Sequence, residues 1–304
     1  MTRRALWLLA AVLVAGGTAA AVVAAKQNPI AYEEVDASVQ PIEPEMAEIP
    51  GGVFRMGDPG GLPHELPVHE VQLSPFAIGK YEVTAAEYAR FVQASGRPDP
   101  PDPWFWEGEG TFRKRPGYPV LEISWSDAAA YCKWLSDKTG KNYHLPTEAQ
   151  WEFAARGGLQ DAAFPWGNEP TPGMAHMMTP EKDGPVAVGQ FPPNGYGLYD
   201  MAGNVNEMVA DWFDEHYYAK SPRLNPTGPT GLSAYMSLLE PEGNRSRKKG
   251  RCHVVRGGSY RATFDWSQKN PDGRHETPAR CGSREYLYQA PYTHFDLGFR
   301  VARD

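Results

Sequence analysis

The sequence predicts an α+β chain: a single irregular domain, loop-rich, with few helices and short strands. Three observations carry that expectation. The chain holds 31 Gly and 29 Pro among 304 residues, about a fifth of the total, and both residue types break regular structure into turns. Apolar positions at helical spacing, each opened by a capping residue, occur in three short stretches. Alternating apolar and polar residues, the pattern of a half-buried strand, come in brief runs. An all-helical protein is excluded.

Taken in order, residues 1–4 carry two arginines, residues 5–25 carry no charge, and Lys26 follows. That layout is an export signal, and its length also suffices for one membrane-spanning helix of roughly 20 residues. Residues 1–25 are therefore expected to be a signal peptide or an N-terminal membrane anchor, and any membrane contact to run through them. Residues 26–45, polar with Pro and Glu, read as a flexible tether, and residues 46–304 as one domain without an internal linker or repeat. Ile49-Pro50-Gly51-Gly52-Val53-Phe54-Arg55-Met56-Gly57 suits a strand entered by a turn, and Val68-His69-Glu70-Val71-Gln72-Leu73 repeats the alternation. Thr84 followed by Glu87 predicts a capped helix with Tyr88, Phe91 and Val92 on one face. A second helix is expected to start at Ser126 or Asp127 and run to about Lys138. A third, over 147–155, is opened by Pro146 and stopped by Gly157-Gly158. Residues 297–302 read as a closing apolar strand.

The net charge of -7 excludes a protein that grips a phosphate backbone, so no nucleic-acid partner is expected. The basic run at 245–249 reads as a solvated loop. Three cysteines allow at most one bridge. Cys132, in an apolar helical stretch, reads as a buried thiol, which leaves Cys252 and Cys281 as the expected pair outside the cytoplasm. The eight histidines are dispersed, and neither a Ser-His-Asp nor a paired-carboxylate arrangement can be assembled from spacing.

Several ordered segments then fall into a known pattern: Tyr81-Glu82-Val83-Thr84, Ser124-Trp125-Ser126-Asp127-Ala128, Leu145-Pro146-Thr147-Glu148-Ala149-Gln150-Trp151-Glu152-Phe153-Ala154, Pro165-Trp166-Gly167-Asn168, Gly197-Leu198-Tyr199-Asp200-Met201-Ala202-Gly203-Asn204-Val205, Val255-Arg256-Gly257-Gly258-Ser259-Tyr260 and Gly298-Phe299-Arg300. From about residue 49 to 304 the chain resembles the formylglycine-generating enzyme, or sulfatase-modifying factor, family. The resemblance implies a heavily elaborated domain related to the C-type lectin fold. Authentic members oxidise a sulfatase cysteine, using two active-site cysteines that hold copper shortly after Gly-Gly-Ser-Tyr. The matching positions here are Ala262 and Ser267, and soft thiolates are what copper(I) requires, so copper is not expected. The family's Gly-Asn-x-Trp-Glu-Trp is replaced by Gly203-Asn204-Val205-Asn206-Glu207-Met208, which puts Asn206 where an active-site tryptophan stands.

The same resemblance implies a structural calcium ion held by Asp200 and Glu207 side chains and by the Gly203 and Val205 carbonyls, a set of hard oxygens. The alternative is a metal-free turn capped by the same acids. Around the former catalytic loop, Ser259, Arg261, Asp265, Trp266, Arg280, Arg284 and Glu285 are candidates for a remaining site, or else salt-bridged loop residues lining a relic groove. Arg300 reads as structural. Trp125, Trp134, Trp151, Trp166 and Trp212 lie in family motifs and are expected in the core, whereas Trp104, Phe105 and Trp106, in a Pro-rich loop, are a candidate interaction surface. Exported members without the cysteines resemble either a regulator upstream of a threonine kinase that controls type VI secretion or the pyoverdine-maturation protein. The expectation is thus a periplasmic binding or regulatory protein with a protein or peptide partner. A periplasmic modifying enzyme is the alternative, and a formylglycine-generating oxidase the remote one.

Overall fold

Three of the helices begin with reciprocal caps that satisfy the backbone N–H groups left over at a helix start. The computed structural model describes residues 32–106, 111–177, 183–229, 252–262, 277–288 and 293–304. The expected export segment at 1–25 and the basic run at 245–249 lie outside them. Helix α1 (Ala85–Ser95) is capped by Thr84, whose Oγ1 accepts from Glu87 N–H at 3.3 Å while Glu87 accepts from Thr84 N–H at 2.7 Å. After the short helix α2 (Thr111–Lys114), α3 (Trp125–Thr139) is capped the same way by Ser124 and Asp127. The expected start at Ser126 or Asp127 is therefore one or two residues late, because Asp127 is the acid of the box and Ser124 its cap. Helix α4 (Glu148–Ala155) is capped by Thr147 and Gln150.

Among the described residues the strands are short and form three sheets. The first joins β1 (Met46–Ile49), β4 (Phe76–Gly79), β10 (Ala302–Arg303) and β5 (Tyr143–His144) in that order, so the last residues of the chain close the sheet that the first strand opens. Between β1 and β4, β2 (Gly52–Met56) and β3 (His69–Leu73) pair antiparallel as a separate two-stranded sheet. The third sheet runs β8 (Glu285–Tyr288), β7 (Cys252–Arg256), β6 (Asn206–Trp212), β9 (Leu297–Gly298), with β9 parallel to β6.

Two clusters make most of the core. In one, α1 and α3 interlock through aromatic rings: Phe91 meets Tyr131 at 6.0 Å and Trp134 at 5.6 Å, and Phe299 lies 5.6 Å from Tyr131. Each fully buried ring of this size contributes roughly 1.5–3 kcal/mol over its exposed state. The other cluster surrounds α4, with Trp151, Ala154, Ile49, Ile78, Val209 and Val254. All eight residues of α4 are buried, including Glu148, Gln150 and Glu152. A helix buried on every side needs partners for its charges. Arg284 Nε and Nη2 donate to Glu148 at 2.6 and 3.0 Å, and Arg156 and Arg256 both pair with Glu152. Burial alone would raise the Glu152 carboxyl, but the two guanidinium groups outweigh it and hold it below its ordinary value.

Two expectations are corrected here. Residues 32–45 do not act as a flexible tether. Val35 N–H donates to Ala94 O at 2.8 Å, Tyr32 OH donates to Asp137 at 2.9 Å, and Val39 is buried against the α1 and α3 cluster. The apolar residues of this polar stretch, Tyr32 and Val39, tie it down. Cys252 and Cys281 are not bridged; all three cysteines are free and buried. Cys252 is held in β7 opposite Tyr288, while Cys281 N–H donates to Ala163 O, and burial pushes their thiols up to about 11 and about 12. Of the five expected core tryptophans, Trp134 and Trp151 are fully buried, and Trp125, Trp166 and Trp212 are half-buried.

Candidate functional site

Strand β7 ends at Arg256, and the two glycines after it turn the chain sharply. Both have positive φ, and a Cβ on Gly258 would come within 3.0 Å of the backbone at Pro278 and Ala279. The turn delivers Ser259 into a buried position beside the segment that precedes β9. There Ser259 Oγ donates to Asp296 Oδ2 at 2.9 Å and accepts from Arg261 N–H at 3.3 Å. The other oxygen of Asp296 is bound by His294 Nδ1, and Arg261 Nη1 stands 3.7 Å from Asp296 Oδ2. Burial would raise Asp296, yet the hydrogen bond and charge of His294, with Ser259 and Arg261, hold it below its ordinary value. His294 is raised in turn, chiefly by its hydrogen bond to Asp296. Glu285, at the start of β8, is raised by burial and by the charge of Asp296.

The chemical order of this group is Ser, Asp, His. A nucleophilic triad needs the imidazole between hydroxyl and carboxylate, so that the ring takes the hydroxyl proton. Here the carboxylate is in the middle and Ser259 already donates to it. The arrangement fixes a loop and carries two basic side chains, His294 and Arg261, toward the surface; the Arg261 side chain is 42% exposed.

An aromatic shelf adjoins these two side chains. His294 stacks on Phe295 with centroids 4.2 Å apart, and the Arg261 guanidinium lies 5.4 Å from the same ring. Phe105 and Trp104 approach Phe295 edge-on at 5.7 and 6.1 Å, and Phe105 also meets Tyr260 at 6.2 Å. Gly184, at φ +67°, leaves room for Phe105, since a Cβ there would lie 2.4 Å from the ring. Trp104 stays 63% exposed, whereas Trp106 turns toward Tyr118 and Arg115. The 104–106 loop and the relic groove, separate candidates in the sequence, thus form one surface. Sequence reasoning missed Asp296, His294 and Phe295, the residues that join them. Beside this surface the Asn206 N–H donates to Asp296 O at 2.8 Å, and Asn206 Oδ1 is buried without a hydrogen-bond partner among the described residues.

The other candidates sort differently. Asp265, Trp266 and Ser267 lie outside the described residues. Ala262 packs its methyl against Phe164, Ala202 and Ala279, an apolar setting. Arg280 pairs with Asp58 and Glu65. Arg284 is a correction: it does not line the groove but is buried in the core ion network, where it also donates to His64 O at 2.6 Å.

The turn expected to hold calcium is tightly built. Asp200 and Asn204 both adopt positive φ, and Asp200 Oδ2 accepts from Gly189 N–H at 2.7 Å. Glu207 accepts two bonds from Arg300, at 2.7 and 2.6 Å, and one from Trp151 Nε1 at 2.8 Å. Glu82 accepts from Asn204 Nδ2 at 2.6 Å, and burial together with Asp200 and Glu207 pushes it well above its ordinary value. Three buried carboxylates, Glu82, Asp200 and Glu207, thus lie within electrostatic reach of Arg300. Among the described residues no three His, Cys, Asp or Glu side chains converge as a metal-binding group, so the Gly203 and Val205 carbonyls would have to complete a ligand set. Glu207 would be shared with Arg300 and Trp151. Its carboxylate has roughly four lone-pair sites, enough for such sharing.

With this geometry in hand, the sequence pattern of the sulfatase-modifying factor enzyme 1-like domain matches residues 31–304. The chain belongs to that family. It is similar to the formylglycine-generating enzyme of Thermomonospora curvata, 38% identical over 280 residues that cover 73% of this chain and 84% of that protein. It is also similar to the inactive C-alpha-formylglycine-generating enzyme 2 of Bos taurus, 35% identical over 219 residues, or 55% of this chain and 71% of that one. Among solved structures, PvdO from Pseudomonas aeruginosa superposes with a TM-score of 0.62 at 29% identity, covering 91% of this chain and 99% of that chain. The irregular α+β architecture is the family's.

Proposed function

We propose that this protein is an exported family member that has exchanged copper chemistry for binding, and that it holds a polypeptide partner on the surface formed by Trp104, Phe105, Phe295, His294 and Arg261. The observation that carries the reading is the meeting of an exposed aromatic loop with two basic side chains, His294 and Arg261, braced on one buried carboxylate. Exposed aromatic and arginine side chains on a rigid base are the residues that dominate protein recognition energies. Ala262 and Ser267 supply no thiolate for copper, and the Bos taurus relative named inactive shows that the family scaffold also occurs without the activity. In this reading residues 1–25 direct export to the periplasm or anchor the chain to its membrane. A calcium ion at Asp200, Gly203, Val205 and Glu207 would stiffen the turn behind the surface, and no step of binding runs through it.

The test is capture from periplasmic extract by the full chain and by its Trp104→Ala and Arg261→Ala variants. A protein captured by the parent and lost by both variants, at unchanged variant stability, supports the reading; a captured protein retained by both contradicts it. The likeness to a relative named as a formylglycine-generating enzyme favours a second reading, a periplasmic modifying enzyme. Covalent conversion of the captured protein, seen by mass spectrometry and abolished by Arg261→Ala, would establish that reading instead.

A further inference from the structure

The Trp104 surface continues past Phe105 to a second arginine. Trp106 meets Phe105 edge-on at 5.7 Å, and the Arg115 guanidinium lies 4.6 Å from the Trp106 ring and 5.1 Å from that of Tyr118. In the other direction Phe105 meets Phe295 at 5.7 Å, and Arg261 stands 5.4 Å from Phe295. Trp106, Phe105 and Phe295 thus form a strip of rings with a guanidinium at each end, and the exposed Trp104 packs on its middle, 5.5 Å from Phe105. These steps bound the separation of the two guanidinium groups. Two glutamates four positions apart on one side of an extended segment, about 13 Å along the backbone, reach both with their side chains.

The charge of this strip differs from that of the surface elsewhere. Arg55, Arg97, Arg113, Arg223 and Arg303 each sit on a carboxylate. Arg115 makes no ion pair and no side-chain hydrogen bond among the described residues, and its guanidinium rests on two rings instead. Arg261 stands 3.7 Å from Asp296, a carboxylate already bonded by Ser259 at 2.9 Å and by His294. Neighbouring acids are engaged: Asp99 accepts from Arg113 at 2.6 Å, Asp102 from Phe112 N–H at 3.1 Å and Glu122 from Thr293 Oγ1 at 2.9 Å. A guanidinium whose face lies on a ring can still donate from its edge, and a carboxylate is the acceptor that matches it. In a chain of net charge -7, an arginine at each end of an apolar strip is complementary to a segment with acids at its ends and an apolar residue between them. A polynucleotide matches less well, since it needs a continuous basic face and is repelled by the net charge.

We propose that the partner segment on this surface is acidic, with two carboxylates that pair with Arg115 and Arg261 and an aromatic or apolar side chain between them against Trp104 and Phe105. The proposal rests on the binding reading above and adds Arg115 to that surface.

The experiment titrates the full chain calorimetrically, at low salt, with acetyl-Glu-Thr-Phe-Thr-Glu-amide and with a twin carrying Gln for both Glu. The acidic peptide is expected to bind about tenfold more tightly than the twin, and Arg115→Gln to remove most of that difference. Should Arg115→Gln lower the melting temperature, Arg115→Lys, which keeps the charge, is expected to retain the preference. Equal binding of the two peptides, both lost in Trp104→Ala, overturns the acidic assignment and leaves the binding surface standing. An undiminished preference in Arg115→Gln overturns it as well, as does failure of the acidic peptide to bind while Trp104→Ala still loses the captured protein. A twelve-base single strand that binds more tightly than the acidic peptide overturns it in favour of a nucleic acid.

Discussion

Glu152 and Asp296 are both buried carboxylates flanked by two basic side chains, yet they serve different ends. Glu152 is completely enclosed, and its partners Arg156 and Arg256 are enclosed with it, at 6% and 0% side-chain exposure. Asp296 is nearly as buried, but its partners reach outward: His294 is 30% and Arg261 42% exposed. The first arrangement closes the charge inside the frame around α4, while the second anchors basic side chains at a root and presents them at the surface. The difference separates structural ion pairs from candidate recognition groups, although all are arginine and acid in sequence.

The comparison is sharpened most by breaking the enclosed pair. Arg256→Ala leaves Glu152 and Glu148 short of a partner inside the core and should cost roughly 3–5 kcal/mol, seen as a lower urea midpoint or failure to fold. The outward pair should behave in the opposite way. Trp104→Ala and Arg261→Ala should change stability by no more than about 0.5 kcal/mol, while weakening a captured partner by about tenfold or more. Next in size, Thr84→Ala removes one of the two bonds of the α1 cap and should lower stability by about 1 kcal/mol, a loss that Thr84→Ser largely avoids.

The smallest effect is a pH dependence. His294 is raised by Asp296, so its contribution is fully present below about pH 6.5 and is lost as pH rises through its higher folded value. Asp296 is lowered, so its contribution is present above about pH 3.9 and is lost as pH falls through its folded value. The pair therefore stabilises most between those limits. Because His294 is partly exposed, the effect should stay under about 1 kcal/mol, and His294→Gln should flatten the stability profile above pH 6.5.

Much of the frame was legible in the sequence because its signals are local. Thr84 with Glu87 three residues later announced α1, Pro146 and Gly157-Gly158 bracketed α4, and the Gly-Gly-Ser-Tyr and Gly-Phe-Arg segments carried the family resemblance. Ser124 was passed over because Ser126 and Asp127 cap equally well by residue type. Nothing local marks Glu148 and Glu152 as interior acids, since the arginines that satisfy them stand at 156, 256 and 284 and an acidic helix ordinarily faces water. The surface was legible only in halves. Trp104 and Arg261 were each singled out, but the residues that bring them together, Phe295 and Asp296, are more than thirty positions beyond Arg261 and belong to no motif.

The central claim is that this scaffold binds and does not carry out copper oxidation. Its most direct test is to titrate the purified full chain with copper(I) and then incubate it, in air, with a sulfatase-type cysteine peptide followed by mass spectrometry. The account predicts no tight uptake of one copper per chain and an unchanged thiol. Stoichiometric copper binding with conversion of the cysteine to an aldehyde would contradict it.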